Sequence, residues 1–388
     1  MFDGFNNLII AGEIKSVRIT FVLPVVSLSG GNKVIAIYAR ELARKGHTVR
    51  IVSPPPKQTP FKQKVRSWAK GSGWPRDTKY TRSHLDGSEL DHRLLDRWRP
   101  IVDDDVPDAD IVIATWWETA EWVNALSPKK GAKVYFVQGH EVFPHLPIAR
   151  CRATYRLPLH KIVVARWLKE LMLEEYGDGV VDLVPNSVDK AQFYSAPRLQ
   201  QRVPTVGFLY SGVWIKGLDV TLTALKIVRQ RRPQLRLISF GAMEPIAKLP
   251  LLDRTEFSFS PKQDEIRSLY CGCDVWVTAS RTEGFNLSAI EAMACRTPVV
   301  STRTGWPAEA IRSGWNGFLV EIDDTDAIVA GIDSVLSQNS DDWQTMSANA
   351  YATVAESSWS TSAAMFERAL AHACQRAQRG EISGKCDC

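Results

Sequence analysis

Two glutamates, Glu283 and Glu291, flank a segment whose residue types suit phosphate and sugar binding. The stretch Ser280–Thr302 reads SRTEGFNLSAIEAMACRTPVVST. Its Gly284–Leu287 part forms a turn that opens a helix, and a helix start presents backbone N–H groups that lack partners within the helix. Because the helix dipole favours negative charge there, Phe285–Leu287 can hold a diphosphate without a metal ion. Glu283 can then accept from a donor-sugar hydroxyl, while Glu291, about two turns further on, can accept from the ribose hydroxyls.

The same stretch resembles the signature of the retaining GT-B glycosyltransferases of the family-four type. It keeps the Glu-Gly-Phe turn, the second glutamate, Ala-Met-Ala and Pro-Val-Val, and it departs at Asn286, Ser288 and Arg296. Asn286 replaces a glycine, and asparagine tolerates unusual backbone angles better than most residues. Other segments are similar to further family signatures: Ser29–Gly31, Lys45–His47, Pro185–Asp189, Gly305–Glu309 and Asn316–Val320. Val134–Phe143 resembles a rhamnosyltransferase-like subgroup.

The resemblance assigns Lys216 to the donor diphosphate, where a cation stabilises the charge that the leaving group gains in the transition state. The family usually places an arginine five residues earlier, and this chain has Ser211 at that position. Either another basic residue, such as Arg281 or Arg303, substitutes for that arginine, or the activity is reduced.

The resemblance also implies roles for residues in the first half of the chain. Gly30 and Gly31 would let the backbone approach the ligand, although the pair can also form only a tight turn. His140 would lie near the transferred sugar, where an imidazole can donate to a hydroxyl or a leaving oxygen. A solvent-exposed loop histidine is the alternative. Glu141 would orient His140 or act as an acceptor base, or it would be a surface carboxylate.

The motifs do not call for a metal ion or a cofactor. The aspartates Asp103-Asp104-Asp105 stand in a loop before a strand rather than at a strand end, and we interpret them as solvated charge. The pairs Cys271/Cys273 and Cys386/Cys388 have neither the wider spacing nor the neighbouring histidines of most zinc sites. We therefore expect no metal site, and no cofactor besides the nucleotide-sugar donor.

These residues need elements that bring them to one edge of a sheet. Apolar runs typical of buried parallel strands alternate with helical patterns along the chain. Strands are predicted at Val17–Leu23, Thr48–Val52, Ile111–Ala114, Lys133–Val137, Lys161–Val164, Val181–Val184, Thr205–Tyr210, Leu235–Phe240, Glu256–Phe259, Asp274–Thr278 and Thr297–Ser301. Helices are predicted at Lys33–Lys45, Asp219–Arg231, Lys262–Tyr270, Leu287–Ala294 and Ala327–Leu336. The pattern indicates doubly wound α/β domains, whose ligands bind beyond the carboxyl ends of the strands.

The chain of 388 residues is longer than one hydrophobic core usually covers. We expect two Rossmann-like domains that face a cleft, residues 1–195 for the acceptor and 203–358 for the nucleotide sugar. The resemblance adds a C-terminal helix within 359–377 that packs on the first domain. A net charge of +5 is too small to indicate nucleic-acid binding. The sequence has no apolar stretch of about 18 residues and no signal-peptide pattern at 1–14, which favours a cytoplasmic location.

The segment Lys57–Arg82 interrupts the first domain with a basic, aromatic insertion. It has eight basic residues against one acidic residue, Asp77, and it interleaves Phe61, Trp68 and Trp74 with them. The insertion is either a solvated, mobile loop or a contact with an anionic membrane surface or a lipid-phosphate acceptor.

Together these features predict a glycosyltransferase of the hexosyltransferase type. It would move a sugar from a nucleotide-diphosphate sugar to a glycan or glycolipid in polysaccharide biosynthesis, without a metal ion and at the inner face of the cell membrane. The resemblance implies retention at the anomeric carbon. One alternative, prompted by Ser211, is a nucleotide-sugar-binding protein that has lost turnover. Another is a phosphorylase on the same general fold, which would need a pyridoxal-phosphate lysine.

Overall fold

The computed structural model describes residues 16–69 and 80–386, so Trp74 and Asp77 of the basic insertion lie outside the described residues. The chain divides into two compact units. The first unit contains the described residues up to Val164, together with Leu168–Val184 and the chain from Ala363 onward. The second unit contains Ala165–Trp167 and Pro185–Ser362. The passage at Pro185 falls at the start of the Pro-Asn-Ser-Val-Asp segment, before the boundary expected at residue 195.

The described residues of the first unit form a seven-stranded parallel sheet with the order β3-β2-β1-β4-β5-β6-β7. Its strands are β1 (Arg18–Val22), β2 (Thr48–Ser53), β3 (Asp91–Leu94), β4 (Ile111–Ala114), β5 (Ala132–Val137), β6 (His160–Val163) and β7 (Val181–Leu183). The helices along this part of the chain are α1 (Gly30–Arg44), α2 (Phe61–Ala69), α3 (Trp117–Ala125), α4 (Ile148–Thr154) and α5 (Arg166–Tyr176). The strand order reverses between β1 and β4, which makes that position the topological switch point of the sheet.

The described residues of the second unit form a six-stranded parallel sheet with the order β10-β9-β8-β11-β12-β13. Its strands are β8 (Thr205–Leu209), β9 (Arg236–Gly241), β10 (Thr255–Phe259), β11 (Val275–Thr278), β12 (Val299–Thr302) and β13 (Gly317–Val320). The helices that follow along the chain are α6 (Leu218–Arg231), α7 (Gln263–Cys271), α8 (Leu287–Ala294), α9 (Pro307–Ala310), α10 (Thr325–Leu336), α11 (Ser340–Val354) and α12 (Trp359–Gln378). Here the order reverses between β8 and β11. Both units are Rossmann-like, as the sequence predicts.

The C-terminal part of α12 belongs to the core of the first unit. The ring of Phe366 is fully buried, 4.5 Å from Tyr38 of α1 and 5.0 Å from Phe136 of β5 between centroids. The Glu367 carboxylate accepts from Lys45 Nζ at 2.8 Å and lies 3.0 Å from His47 Nε2. The Lys-Gly-His segment after α1 therefore has a structural purpose, because it anchors this helix.

None of the helices in the described part of the chain is long and apolar enough to cross a bilayer.

Candidate functional site

The second unit brings Lys216 and Glu283 together at its topological switch point. Lys216 follows β8 and Glu283 follows β11, which are the neighbouring strands where the order reverses. Lys216 Nζ lies 2.7 Å from Glu283 Oε1, and Ser280 Oγ donates to the same oxygen at 2.7 Å. The Glu283 side chain is 10% exposed and the Lys216 side chain 31% exposed. A cation and a carboxylate thus reach the edge where parallel sheets bind nucleotides.

Gly217 explains why lysine and glycine occur together in this motif. Its φ is +59°, and a Cβ at this position would lie 1.9 Å from the carbonyl oxygen of Ala279. Any side chain would push the β8 loop away from the end of β11. The glycine therefore allows the close approach that brings Lys216 to Glu283.

Helix α8 begins at Leu287 and ends at Ala294, as the sequence predicts. Asn286 caps it in the left-handed conformation, with φ 80°, and its side-chain oxygen accepts from the N–H of Ala289 at 3.4 Å. Its amide nitrogen donates to Thr278 Oγ1 at 2.9 Å. The replacement of the family's glycine is thus accommodated, because asparagine adopts this conformation and adds a cap.

The turn before α8 is packed against the loop that follows β12. Phe285 is buried and stacks on Trp306 with centroids 5.6 Å apart, while Trp306 N–H donates to the Phe285 carbonyl at 2.9 Å. Gly305 has φ +59°, and a Cβ there would lie 2.8 Å from the Phe285 oxygen. The ring and the carbonyl of Phe285 are thus both used in packing this turn against the loop after β12.

Glu291 lies on α8 and is held by a residue that the sequence did not single out. The hydroxyl of Tyr270, the penultimate residue of α7, donates to Glu291 Oε2 at 3.0 Å. Burial, followed by the charge of Glu291, raises the pKa of Tyr270 well above its ordinary value, so the hydroxyl stays a donor. No spacing rule connects two residues on different helices, so the sequence carried no signal for this contact.

The two arginines considered as substitutes at the diphosphate are both paired elsewhere. Arg281 contacts both oxygens of Asp219, at 2.8 and 3.0 Å, and also Asp323 at 2.8 Å. Arg303 pairs with Glu321 at 2.9 Å. Ser211 lies beyond the carboxyl end of β8 and accepts from the N–H of Val213 at 3.4 Å.

In the first unit, Gly30 and Gly31 are the first residues of α1 rather than a loop before it. Ser29 caps this helix by accepting from the N–H of Asn32 at 3.3 Å, which is why it starts three residues before the predicted Lys33. A Cβ on Gly31 would lie 3.5 Å from the side-chain amide of Gln138. The start of α1 therefore lies beside the loop after β5.

His140 lies in that same loop and is half-buried. Its Nε2 is 2.6 Å from the hydroxyl of Tyr176, and its ring lies 5.5 Å from that of Tyr155. Burial lowers the pKa of His140, which favours the neutral imidazole near pH 7. His140 is thus a loop histidine that is half-buried rather than fully exposed to solvent.

The structure contradicts the surface-carboxylate interpretation of Glu141. Its side chain is buried, and its Oε2 accepts from the Trp117 N–H at 2.7 Å and from the Tyr135 hydroxyl at 3.0 Å. Burial raises the pKa of Glu141 to about 8. The carboxyl group therefore fixes the start of α3, and the described side chains that it contacts do not include His140. A role as acceptor base stays a prediction.

The acidic and histidine clusters of the first unit are satisfied by protein groups. Asp103 accepts from Ser127 N–H at 2.8 Å and Asp105 is paired with Arg99, so these two are structural rather than solvated, whereas Asp104 is exposed as predicted. His160, Asp182 and His372 have candidate ligand atoms within 4.8 Å of one another.

A hydrogen-bond chain accounts for that histidine cluster. Arg376 Nη1 lies 3.1 Å from His160 Nδ1, and a guanidinium can only donate. His160 Nε2 therefore carries the hydrogen and donates to Asp182 Oδ2 at 2.9 Å, which His372 Nδ1 also contacts at 2.9 Å. The group ties α12 to β6 and β7.

Comparisons with known proteins agree with this fold. A family model described as Glycosyltransferase Family 4 matches residues 28–192, and one described as Glycosyl transferases group 1 matches residues 192–353. Two Rossmann-like units with these matches define the GT-B class. The chain belongs to the glycosyltransferases of the family-four type.

Among individual proteins, the chain is 30% identical over 204 residues to the GDP-mannose:cellobiosyl-diphosphopolyprenol alpha-mannosyltransferase of Xanthomonas oryzae, covering 49% of this chain and 52% of that protein. It is 34% identical over 160 residues to the D-inositol 3-phosphate glycosyltransferase of Pseudarthrobacter chlorophenolicus, covering 36% and 38%. The matches thus span about half of these relatives' lengths or less. HepE from Anabaena, solved in complex with UDP and glucose, has the same fold, with a TM-score of 0.69, 16% identity, and coverage of 92% of this chain and 99% of that one.

Proposed function

We propose that this protein transfers a hexosyl group from a nucleotide-diphosphate sugar to a carbohydrate or glycolipid acceptor. The observation that carries the proposal is the Lys216–Glu283 pair, 2.7 Å apart at the switch point of the second unit. Glu283 lies in the chain segment that continues directly into α8, so the turn, the helix start and the pair belong to one site. The names of the relatives, which are sugar transferases, support the same reaction class.

The chemistry of each candidate site residue in the second unit suggests its role in this reaction. Lys216 and the first N–H groups of α8 bind the diphosphate and stabilise the charge it gains on leaving, so no metal ion is needed. Glu283 accepts from a hydroxyl of the donor sugar. Glu291 accepts from the ribose. Ser211 lies where the family resemblance implies an arginine, and it can donate only one neutral hydrogen bond to the phosphate.

The first unit supplies the acceptor side in this proposal. Gly30 and Gly31 begin a helix of 15 residues with no acidic residue in its first turn, so its N–H groups favour an anionic or hydroxyl-rich ligand. His140, neutral and held by Tyr176, donates to or accepts from a sugar hydroxyl. Retention of the anomeric configuration is part of the proposal, and the family resemblance is its support.

We also infer that the protein binds an anionic membrane surface through α2, which would give access to glycolipid acceptors. Phe61, Val65 and Trp68 are 72%, 40% and 66% exposed, and their spacing of four and three residues puts them on one face of the helix. The helix has no acidic residue, and its basic residues Lys62, Lys64 and Arg66 flank this face. An exposed apolar stripe between cations fits an anionic lipid interface better than a solvated loop.

A thermal-shift panel tests the donor half of the proposal. Uridine, thymidine, guanosine and adenosine diphosphate sugars are added in buffer that contains a chelator. A ligand that binds only the native state at about 100 times its Kd adds about 2.7 kcal/mol of stability. We expect the nucleotide sugars that carry one particular nucleobase to raise the melting temperature without a metal ion. The same donor should yield a product whose anomeric configuration is retained, as measured by NMR.

Matched variants sharpen this test. Lys216→Ala should lose most of the shift, whereas Lys226→Ala, an exposed lysine on α6 of the same unit, should keep it. If no donor shifts the melting temperature, or if every shift requires a divalent cation, the proposal is wrong. Binding without any release of nucleoside diphosphate would favour the second candidate, a binding protein that has lost turnover. The pairing of Arg281 and Arg303 with carboxylates motivates that candidate.

A further inference from the structure

Trp214 exposes most of its surface to solvent, close to Lys216 in the sequence. It is 60% exposed, and it begins the short 3₁₀ segment that ends at Lys216. Large aromatic side chains are usually mostly buried, so an exposed one next to a ligand site calls for an explanation. The neighbouring Val213 is 53% exposed, which extends the apolar surface.

Arg281 fixes Trp214 before any ligand arrives. Its guanidinium carbon lies 4.9 Å from the centre of the indole ring, and its Nη1 donates to the Trp214 carbonyl at 2.9 Å. Its backbone N–H donates to the Ile215 carbonyl at 2.8 Å. The Arg281 side chain is only 10% exposed and is itself clamped by Asp219 and Asp323. A guanidinium that is itself held in place therefore lies over one face of the indole, which favours one orientation of the ring.

A preorganised indole beside a carboxylate and a cation is a combination that suits a sugar ring. The apolar C–H face of a pyranose stacks on the indole, while its hydroxyls reach a carboxylate such as Glu283. Fixing the ring in advance reduces the entropy lost on binding. A phosphate alone would gain nothing from the indole.

We propose that Trp214 is the stacking platform for a sugar ring bound beside the Lys216–Glu283 pair, and that Arg281 is the positioning residue of that platform. The proposal rests on the proposed function, since it places a carbohydrate at the same site. The sugar comes either from the donor or from the acceptor, and both present the same C–H face. Arg281 is thereby assigned to the sugar, not to the diphosphate.

The test compares Trp214→Ala with a matched control, Trp315→Ala. Trp315 belongs to the same unit, is 40% exposed, and has the guanidinium of Arg312 5.4 Å from its ring. The affinities for the nucleotide sugar and for the corresponding nucleoside diphosphate are measured by calorimetry, and the KM values for donor and acceptor by transfer assay. Stacking of this kind corresponds to about a three- to tenfold effect.

If the platform holds the donor sugar, Trp214→Ala weakens nucleotide-sugar binding about three- to tenfold and leaves nucleoside-diphosphate binding unchanged. If it holds the acceptor, only the acceptor KM rises by that factor. Arg281→Lys should shift the same constant in the same direction, since a lysine cannot keep both the ring contact and the paired contacts to Asp219. The Trp315 control should change none of these constants.

The proposal is overturned if both KM values and both affinities stay at the wild-type level in Trp214→Ala. It is also overturned if nucleoside-diphosphate binding falls as much as nucleotide-sugar binding, or if Trp214→Ala only abolishes association with another protein. A wild-type protein that binds nucleotide sugars but transfers none would refute the proposed transfer reaction. The ratio of the two affinities would still test the platform in that case.

Discussion

The two glutamates of the candidate site, Glu283 and Glu291, each accept a hydrogen bond from a neutral hydroxyl. Ser280 donates to Glu283 at 2.7 Å, and Tyr270 donates to Glu291 at 3.0 Å. The Lys216 ammonium contacts the same oxygen of Glu283, so a hydroxyl and a cation together hold that carboxylate. The rotamers of both carboxylates are thus set before the donor binds.

Tyr270→Phe should weaken recognition of the ribose. The substitution keeps the ring in its contacts with Trp276 and Phe240 but removes the donor to Glu291. Wild-type protein should bind a nucleoside diphosphate more tightly than its 2′,3′-dideoxy analogue, and Tyr270→Phe should shrink that preference by about 1 kcal/mol, roughly fivefold. Isothermal titration calorimetry with both ligands measures the preference, and Glu291→Ala should abolish it.

The matched control for that variant is Tyr210→Phe. Tyr210 is also buried in the second unit, and its hydroxyl donates to the Leu249 carbonyl at 2.8 Å, away from α8. This variant should unfold more easily yet keep the wild-type preference. An unchanged preference in Tyr270→Phe, or an equal loss in Tyr210→Phe, would contradict the positioning role.

Sequence patterns predict the residues that define the motif but not the residues that hold them. Glu283 and Glu291 stand in a dense run of matching positions, Lys216 is assigned by its own Lys-Gly match, and the Asn286 cap follows from the type of residue at a helix start. Tyr270 is 21 residues from Glu291, and Tyr176 is 36 residues from His140. Such contacts depend on how elements pack, which no local spacing encodes.

At the scale of elements, α2 is a helix that the hydrophobic pattern of the sequence did not predict. It lies in the basic insertion and buries no described residue, so it has no core-facing stripe to reveal it. β3 was missed for a related reason, because its sequence Asp-His-Arg-Leu is polar and its place at the sheet edge is held by pairing with β2. The start of α3 depends on the buried Glu141, a tertiary contact.

Removing the apolar face of α2 should weaken membrane binding. The wild-type protein should sediment with vesicles of phosphatidylcholine and phosphatidylglycerol and less with phosphatidylcholine alone, and salt should weaken the binding because the basic residues attract anionic lipid. The double variant Phe61→Ser, Trp68→Ser should bind at least about tenfold more weakly. Leu173→Ser, an exposed apolar residue on α5 in the same unit, is the control and should bind like wild type. Equal binding by the double variant, or no binding by wild type, would exclude this role for α2.

At the scale of the molecule, the strand-and-helix alternation gives two α/β units, and every strand predicted from an apolar run is present within about two residues of its predicted bounds. The pattern does not encode where a unit ends. The sequence near residue 195 is polar and proline-bounded, so it reads as a linker, yet the packing division falls at Pro185 because Phe193 and its neighbours join the second core. The return of the chain at Ala363 depends on the burial of Phe366 and on the Glu367 contacts to Lys45 and His47.

We propose that the start of α8 and Lys216 together take the place of a divalent cation at the donor diphosphate. A crystal structure of the complex with the nucleoside diphosphate of the preferred donor, grown in chelator, tests it most directly. We predict phosphate oxygens about 3 Å from Lys216 Nζ and from the N–H groups of Leu287 or Ser288, with Glu291 contacting the ribose. Phosphates bound away from this helix end, or ordered only when a metal ion bridges them, would contradict the claim.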